Sequence, residues 1–367
     1  MSHPRNPTNP LDENVWDAFC DQLKRAGRLV LDSAPDDAFD RAEGLRYVGR
    51  IAGHALQSFI EDSDPANPSI AGLPKLGGDN PDYVYASAPL SSEYEYRLWG
   101  NRGETSFLGF GTYQGDVGTA EGLKLSGYLE GADLESDDTG NFEIRISCNE
   151  QPGNWLPMQP GSRQLMVRQS VRDRRTQRLA EFEIERLGAV DAPPALDPEV
   201  YGQQIERAGQ YVHGAISQFL EWTNHYAARP NQVLKLDEAL ASNAQGDPST
   251  HYYLGYYELR PGEALQIDLT PPECEYWNLQ LCNHWLESLD FRHHDVNVNH
   301  HNAVADPQGC VRILAAPNDP GLPNWLDTAG HQRGCIVLRQ IGTSTPNDPV
   351  CQVVSSSGLG PGKVGVT

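Results

Sequence analysis

The chain says one thing twice, and that duplication limits its fold more than any other feature. Residues 152–169 read PGNWLPMQPGSRQLMVRQ and residues 322–340 read LPNWLDTAGHQRGCIVLRQ. Each copy runs Asn-Trp-Leu, six residues, Arg, an apolar run and Arg-Gln. Upstream, the heptapeptide from Ala55 to Glu61 is echoed by Ala215 to Glu221, so the parts follow in the same order in both halves. A repeat on this scale implies two similar domains, and 367 residues are enough for two cores of ordinary size. If the copies share a fold, Trp155 and Trp325 occupy equivalent places. Chemistry belongs where the copies differ: Pro157, Met158 and Gly161 are replaced by Asp327, Thr328 and His331 in the second copy.

Local texture gives the fold class. Trp16, Phe19, Leu23, Ala26 and Val30 recur at three- and four-residue spacings, as on one face of a helix, and Leu45, Val48, Ala52, Ala55 and Phe59 do the same. From about 80 to 190, short Tyr-, Phe- and Ile-bearing runs cut by Gly and Asn turns read as antiparallel strands. After a break at 191–198, where Asp197 offers an N-cap and Pro198 opens a helix, a stripe of Ile205, Ala208, Val212, Ala215 and Phe219 runs to about 226. Strands then return from about 251 to 341. The expectation is an α+β chain, mainly β, with two β-sandwich domains, each preceded by helices. Its divisions are a helical segment over 1–75, a first sandwich over 76–190, a linker and helix over 191–245, a second sandwich over 246–345, and a flexible tail over 346–367.

Charge and composition remove whole classes of function. A net charge of −22 repels phosphate backbones, which excludes nucleic acid as a partner. No run reaches the roughly 18–20 apolar residues that span a bilayer, and the N-terminal stretch lacks the apolar core of a signal peptide, so no membrane is expected and the location is cytoplasmic. Seven scattered cysteines, never spaced as C-x-x-C, read as mostly buried free thiols. The run Gly358 to Lys363 looks superficially like a phosphate loop, but no helix can follow it before the chain ends. No nucleophile elbow, Walker loop or dinucleotide fingerprint occurs.

The segment from Trp277 to Trp285, then Glu287 to Asp290, then Asp319 to His331, resembles the domain-of-unknown-function 1214 family over roughly residues 250–342. That resemblance implies a jelly-roll β-sandwich for the region and brings no reaction with it.

Histidine carries the chemical signal. His284, His293, His294, His300, His301 and His331 lie in one stretch of the second half. Taken as a hairpin, residues 277–285 and 291–301 place Trp277, Leu279, Leu281 and Trp285 on the core side with Val296 and Val298, which His294 and His300 accompany, and His293, Asp295, Asn297, Asn299 and His301 on one outer face. Three readings compete for that face: a solvated strand surface, a divalent-metal site built from imidazole and carboxylate, and metal-free acid–base chemistry. The leading expectation is a hydrolase or lyase acting on a small neutral or weakly polar molecule, with His331 as general acid or base and Asp327 as its orienter. His293, Asp295 or His301 would supply a second proton carrier or ligand. Trp277, Asn278, Gln280, Asn283 and Trp285 would position the substrate, and Arg339 would hold an anionic group. The alternative is a non-catalytic jelly roll that holds a sugar or other small ligand on those same aromatic and amide side chains. A homo-oligomer is a third possibility. Asn154, Trp155, Asn324 and Trp325 read as structural, the Trp filling the sandwich and the Asn closing a turn; Arg168 and Arg339 read as ion-paired strand residues.

Overall fold

The computed structural model describes residues 11, 13–174, 176–188, 195–241 and 243–358. His3, residues 191–194 of the 191–198 break and the run after Gly358 fall outside them. Two units emerge: Met1–Pro74, Asp82–Gln218 and Ser242–Gln245 form the first, and Lys75–Pro81, Phe219–Ala241 and Gly246–Thr367 the second. The division is therefore not linear. Lys75–Pro81 sits beside the start of the first sandwich in the sequence but belongs with the second.

Unit 1 begins with α1 (Glu13–Ser33) and α2 (Ala38–Leu56). Asp37 caps α2 by accepting a hydrogen bond from the Phe39 amide at 2.6 Å. In α1 the buried stripe is Val15, Phe19, Ala26 and Val30, and Trp16 is 59% exposed. In α2 it is Gly44, Tyr47, Ile51 and Ala55, with Leu45 on the outside. A three-four spacing can be read in neighbouring frames: α1 buries Phe19, Ala26 and Val30 of its expected stripe with Val15 in place of Trp16, whereas the buried frame of α2 lies about one residue from the expected one. The long helix α3 (Pro198–Ala227) follows its expected frame: Ile205, Ala208, Val212, Ala215 and Phe219 are all buried, and Asp197 accepts from the Glu199 amide at 2.8 Å.

Both units are β-sandwiches, and their strands correspond one for one. Unit 1 has β1 (Ala71–Gly72), β2 (Tyr83–Pro89), β3 (Tyr96–Asn101), β4 (Leu108–Gln114), β5 (Lys124–Glu130), β6 (Asn141–Ser147), β7 (Trp155–Pro157), β8 (Gln164–Ser170) and β9 (Glu181–Arg186). They form sheets in the orders β1-β2-β8-β4-β5 and β7-β6-β3-β9. Unit 2 has β10 (Gln232–Lys235), β11 (Thr250–Glu258), β12 (Glu263–Leu269), β13 (Tyr276–Leu281), β14 (Asn297–Asn299), β15 (Val311–Ala316), β16 (Trp325–Asp327), β17 (Arg333–Ile341) and β18 (Val350–Ser355). Its sheets run β10-β11-β17-β13-β14 and β16-β15-β12-β18, the same orders nine strands later. Val350–Ser355 thus lies within the stretch expected to be a flexible tail. Its Val-rich run pairs antiparallel with β12 as an edge strand.

Each core lies between its two sheets. Leu98, Phe110, Ile144, Ile146, Leu156, Leu165 and Val167 fill the first, and Leu265, Ile267, Leu279, Leu281, Val298, Ile313, Leu326 and Leu338 the second. Each such side chain, fully withdrawn from water, contributes about 1.5–3 kcal/mol before conformational entropy is charged against it.

The repeated Asn-Trp-Leu does the same job twice. Trp155 opens a three-residue strand parallel to β6, opposite Arg145, and Trp325 opens one parallel to β15, opposite Leu314. Their indoles donate to Ser147 O at 3.2 Å and Ala316 O at 3.0 Å. Both rings are only partly buried, and the residues that enter the cores are Leu156 and Leu326. Asn154 donates to the carbonyls of Glu135 and Glu143 and accepts from the Glu135 amide, while Asn324 does the same with Val304 and Arg312. Asn324 has φ 57°, a left-handed conformation that asparagine tolerates better than most side chains.

Replacing Asn324 by Ala removes three hydrogen bonds and leaves Cβ in that conformation, so denaturant unfolding should show a loss of about 1–3 kcal/mol. Asn324→Gly removes the same bonds without the backbone strain and should lose less, by about 1 kcal/mol. Equal losses would mean that the conformation contributes nothing.

Candidate functional site

The outer face of β13 and β17 in unit 2 is polar and closed. Asn278 and Gln280 are fully buried, as are Asn283 and Arg339 to within a few per cent. Asn278, Gln280 and Arg339 hold the strap Lys75–Pro81. The Arg339 guanidinium donates to Gly78 O, and to Gln280 Oε1 at 2.7 Å. Gln280 Nε2 donates to Asp79 O at 2.6 Å, and Asn278 Nδ2 to Asn80 Oδ1 at 2.8 Å. The Asp79 carboxylate accepts from Ser288 N at 2.9 Å and Ser288 Oγ at 2.6 Å. Lys75 Nζ reaches the Ser288 and Leu289 carbonyls and lies 4.8 Å from the centre of the Phe291 ring.

The residues expected to position a substrate thus have other work. Trp277 lies in the sandwich core, Trp285 is 2% exposed, and the Asn283 side chain bridges Glu287 and the Trp285 and Glu287 amides. A buried amide or guanidinium needs partners within the protein, and the strap supplies them to Arg339, to Gln280 Nε2 and to Asn278 Nδ2.

The expected hairpin forms only in part. Asn278 pairs with Asn299 and Gln280 with Asn297, and Val296 and Val298 point into the core as expected. Before Val296, however, the chain turns: the amides of His293 and His294 both donate to Asp290 O, at 3.2 and 3.1 Å. Strand alternation fails there, so His294 leaves the valine side. It joins Asp327 instead, its Nδ1 donating to Asp327 Oδ2 at 2.7 Å. The other Asp327 oxygen accepts from the Ala329 amide at 2.7 Å, and the Asp327 amide donates to Asp295 O at 2.7 Å. The two segments singled out in the sequence do meet, but through His294 and not through His331.

His331 is 6% exposed, and its Nδ1 donates to Thr328 O at 2.8 Å within its own loop. His293 and His301 are exposed; the His301 ring lies 3.7 Å from His300 between centroids, tilted by 42°, and His300 in turn meets Tyr276 edge-on. His284 bonds the Tyr256 hydroxyl at 2.8 Å. Among the described residues no three His, Cys, Asp or Glu side chains converge as a metal ion would require. No helix among them is long and apolar enough to cross a membrane. All seven cysteines are free, but only Cys282 and Cys335 are fully buried, fewer than expected; burial pushes the Cys335 thiol up to about 12, which makes it inert near neutral pH.

The Ala329 backbone is strained, with φ 50°, a conformation uncommon for a residue with Cβ. Its counterpart in the first copy, Gln159, is not among the residues with positive φ. The 327–331 loop therefore differs from its copy in backbone as well as in side chains.

No protein-family model matches the chain, and no curated protein does. A solved structure of an uncharacterized protein from Burkholderia cenocepacia is 39% identical, covering 96% of this chain and 100% of that one, with a TM-score of 0.93. The chain belongs to the family of that protein. The VPA0106 protein from Vibrio parahaemolyticus is 10% identical over 93% of this chain and 100% of that one, with a TM-score of 0.50, a likeness of fold alone.

Burial raises the Asp79 carboxyl above the ordinary carboxylate range, against the opposing pull of Ser288, Lys75 and Arg339. The folded state then binds the proton more readily than the unfolded chain. The stability from this group is complete below the ordinary carboxylate pKa and is lost as pH rises through the folded value. Wild type should be more stable relative to Asp79→Asn at about pH 4 than at about pH 7, measured by urea unfolding. A difference independent of pH would remove the assignment.

Proposed function

We propose that the protein is an acid–base enzyme of hydrolase or lyase type, acting on a small neutral or weakly polar molecule at the end of unit 2 where the 290–296 turn meets the 327–331 loop. The resemblance of residues 250–342 to the domain-of-unknown-function 1214 family belongs to the same reading and adds no reaction to it. The observation that carries the reading is the 2.7 Å pair of His294 and Asp327. A carboxylate on Nδ1–H fixes the tautomer and leaves Nε2 with its lone pair, which is the arrangement a general base needs. His294 keeps 40% of its side-chain exposure, enough to meet a solute, and Asp327 keeps 19%.

His294 is the proton carrier in this scheme and Asp327 its orienter. His331 becomes a positioning residue: its bond to Thr328 O holds the loop from which Asp327 projects. His293, beside His294 in the same turn, is the second proton carrier. The dyad has no counterpart in the first copy, where Pro157 stands at the place of Asp327. A fold that needs only the shared residues gains nothing from the pair, which favours a role in chemistry over one in stability.

The full chain incubated with a pooled extract of small metabolites, followed by mass spectrometry, should deplete at least one neutral compound. His294→Ala should slow that depletion by about 10²- to 10⁴-fold with the melting temperature unchanged, and Asp327→Asn should slow it in the same direction. Depletion at the wild-type rate by both variants, or no depletion by wild type, would overturn the proposal.

A further inference from the structure

Unit 1 holds a cluster of charged and aromatic side chains that the dyad does not use. Arg163, just before β8, and Arg207, on α3, both donate to the same oxygen of Asp116, in the loop after β4, at 3.1 and 3.3 Å. Two cations thus share one anion. The Arg207 guanidinium lies 4.9 Å from the centre of the Phe59 ring, and Phe59 packs at 5.4 Å between ring centres on Tyr211, one helical turn beyond Arg207. Phe59 comes from a π-helical turn, Gln57–Glu61, that continues α2, and such widenings occur often at functional sites.

Positive charge is left over here. Burial first, and then the Arg163 guanidinium, pull Arg207 below its ordinary pKa, while Asp116 opposes them; among the described residues those are the charges that act on it. His54, edge-on to Tyr211 at 5.8 Å, does not alter the balance, because burial lowers its pKa to about 4 and it is neutral near pH 7.

Tyr211 supplies an observation independent of charge. It is 8% exposed, and burial, with the smaller effect of the Asp116 carboxylate, raises its phenol so that it stays protonated. Its hydroxyl is therefore a donor close to Asp116, yet it has no hydrogen-bond partner among the described residues. A buried hydroxyl ordinarily has one. Both arginines meanwhile keep open surface, 37% and 40% of their side chains, so a solute can reach them.

The duplication gives a check. Counted from the repeated heptapeptide, the places of Arg207 and Tyr211 are held on α2 by Tyr47 and Ile51, both withdrawn from water. The repeated helix therefore does not require a guanidinium at this position.

We infer that the cluster binds the carboxylate of a small organic acid, which bridges the Arg163 and Arg207 guanidiniums and accepts from the Tyr211 hydroxyl. One negative charge balances the excess, and a planar carboxylate matches the guanidinium fork, whereas a phosphate ester brings about −1.5 to −2. The test is calorimetric titration of the full chain with acetate, butyrate and benzoate, the ionic strength held constant with chloride. At least one should bind at a single saturable site, about tenfold or more weaker in Arg207→Gln and in Tyr211→Phe, and unchanged in Arg312→Gln of unit 2. Tyr211→Phe keeps the ring and its contacts, so it reports the hydroxyl even if the Arg207 variant is misfolded. Butyramide, with the shape but no charge, should give no binding heat. Wild-type affinity in Tyr211→Phe, equal binding of butyramide, tighter binding of inorganic phosphate than of any of the three acids, or no saturable binding of them would overturn the inference.

Discussion

Each sandwich closes at one corner on the carboxamide of an asparagine. There a three-residue strand must run parallel to its neighbour directly after a loop, and the backbone groups of three separate segments meet without a regular ladder to pair them. Asn154 and Asn324 each supply two donor bonds and one acceptor bond to that junction. Once it is tied, Trp155 and Trp325 are placed to bond the neighbouring strand, and Leu156 and Leu326 to enter the core. The corner also sets the start of the loops that follow, including the one carrying Asp327. The junction is built the same way in both copies, with the same three bonds to backbone.

The two copies then treat the same arginine differently. Arg168 and Arg339 occupy one register position on β8 and β17, opposite Gly109 in the first copy and Asn278 in the second. In the first, Arg168 donates to the Tyr113 hydroxyl at 2.8 Å, and Cβ atoms at Gly109 and Gly111 would lie 2.4 Å from Tyr128 and 2.7 Å from Tyr113. Rings cover that face, and only glycine fits beneath them. In the second, amides replace the glycines and a strap of backbone replaces the rings. Both arrangements satisfy a buried guanidinium, which is costly to leave without acceptors.

Much of the fold could be read from residue order because duplication and strand texture are properties of whole segments. The strap could not: nothing in Lys75–Pro81 announces that it will lie against residues some two hundred positions later. For that reason Asn278, Gln280 and Arg339 looked like ligand-binding groups, since an amide facing water and an amide facing a distant backbone are the same letter. The meeting of segments was legible, since the 327–331 loop and the 293–301 stretch are joined by Asp327 and Asp295. The partners were not, because assigning His294 to the core side assumed an unbroken strand through a turn closed by Asp290. The helix stripe of α2 missed by one residue for a related reason: amphipathic spacing fixes a period more firmly than a phase.

The strap also orders events in time. Gly78 leaves the ribosome long before Arg339, 261 residues further on, can bond it. Until then unit 2 lacks a piece of itself that already exists, and β13 and β17 must present buried-type amides to water or to whatever else is near. Pairings of such sequence separation make a chain slow to complete its last contacts, since the loop entropy is charged before the contact rewards it. A ribosome-bound chain released early would carry the strap without its seat. The second sandwich expressed by itself would carry the seat without its strap.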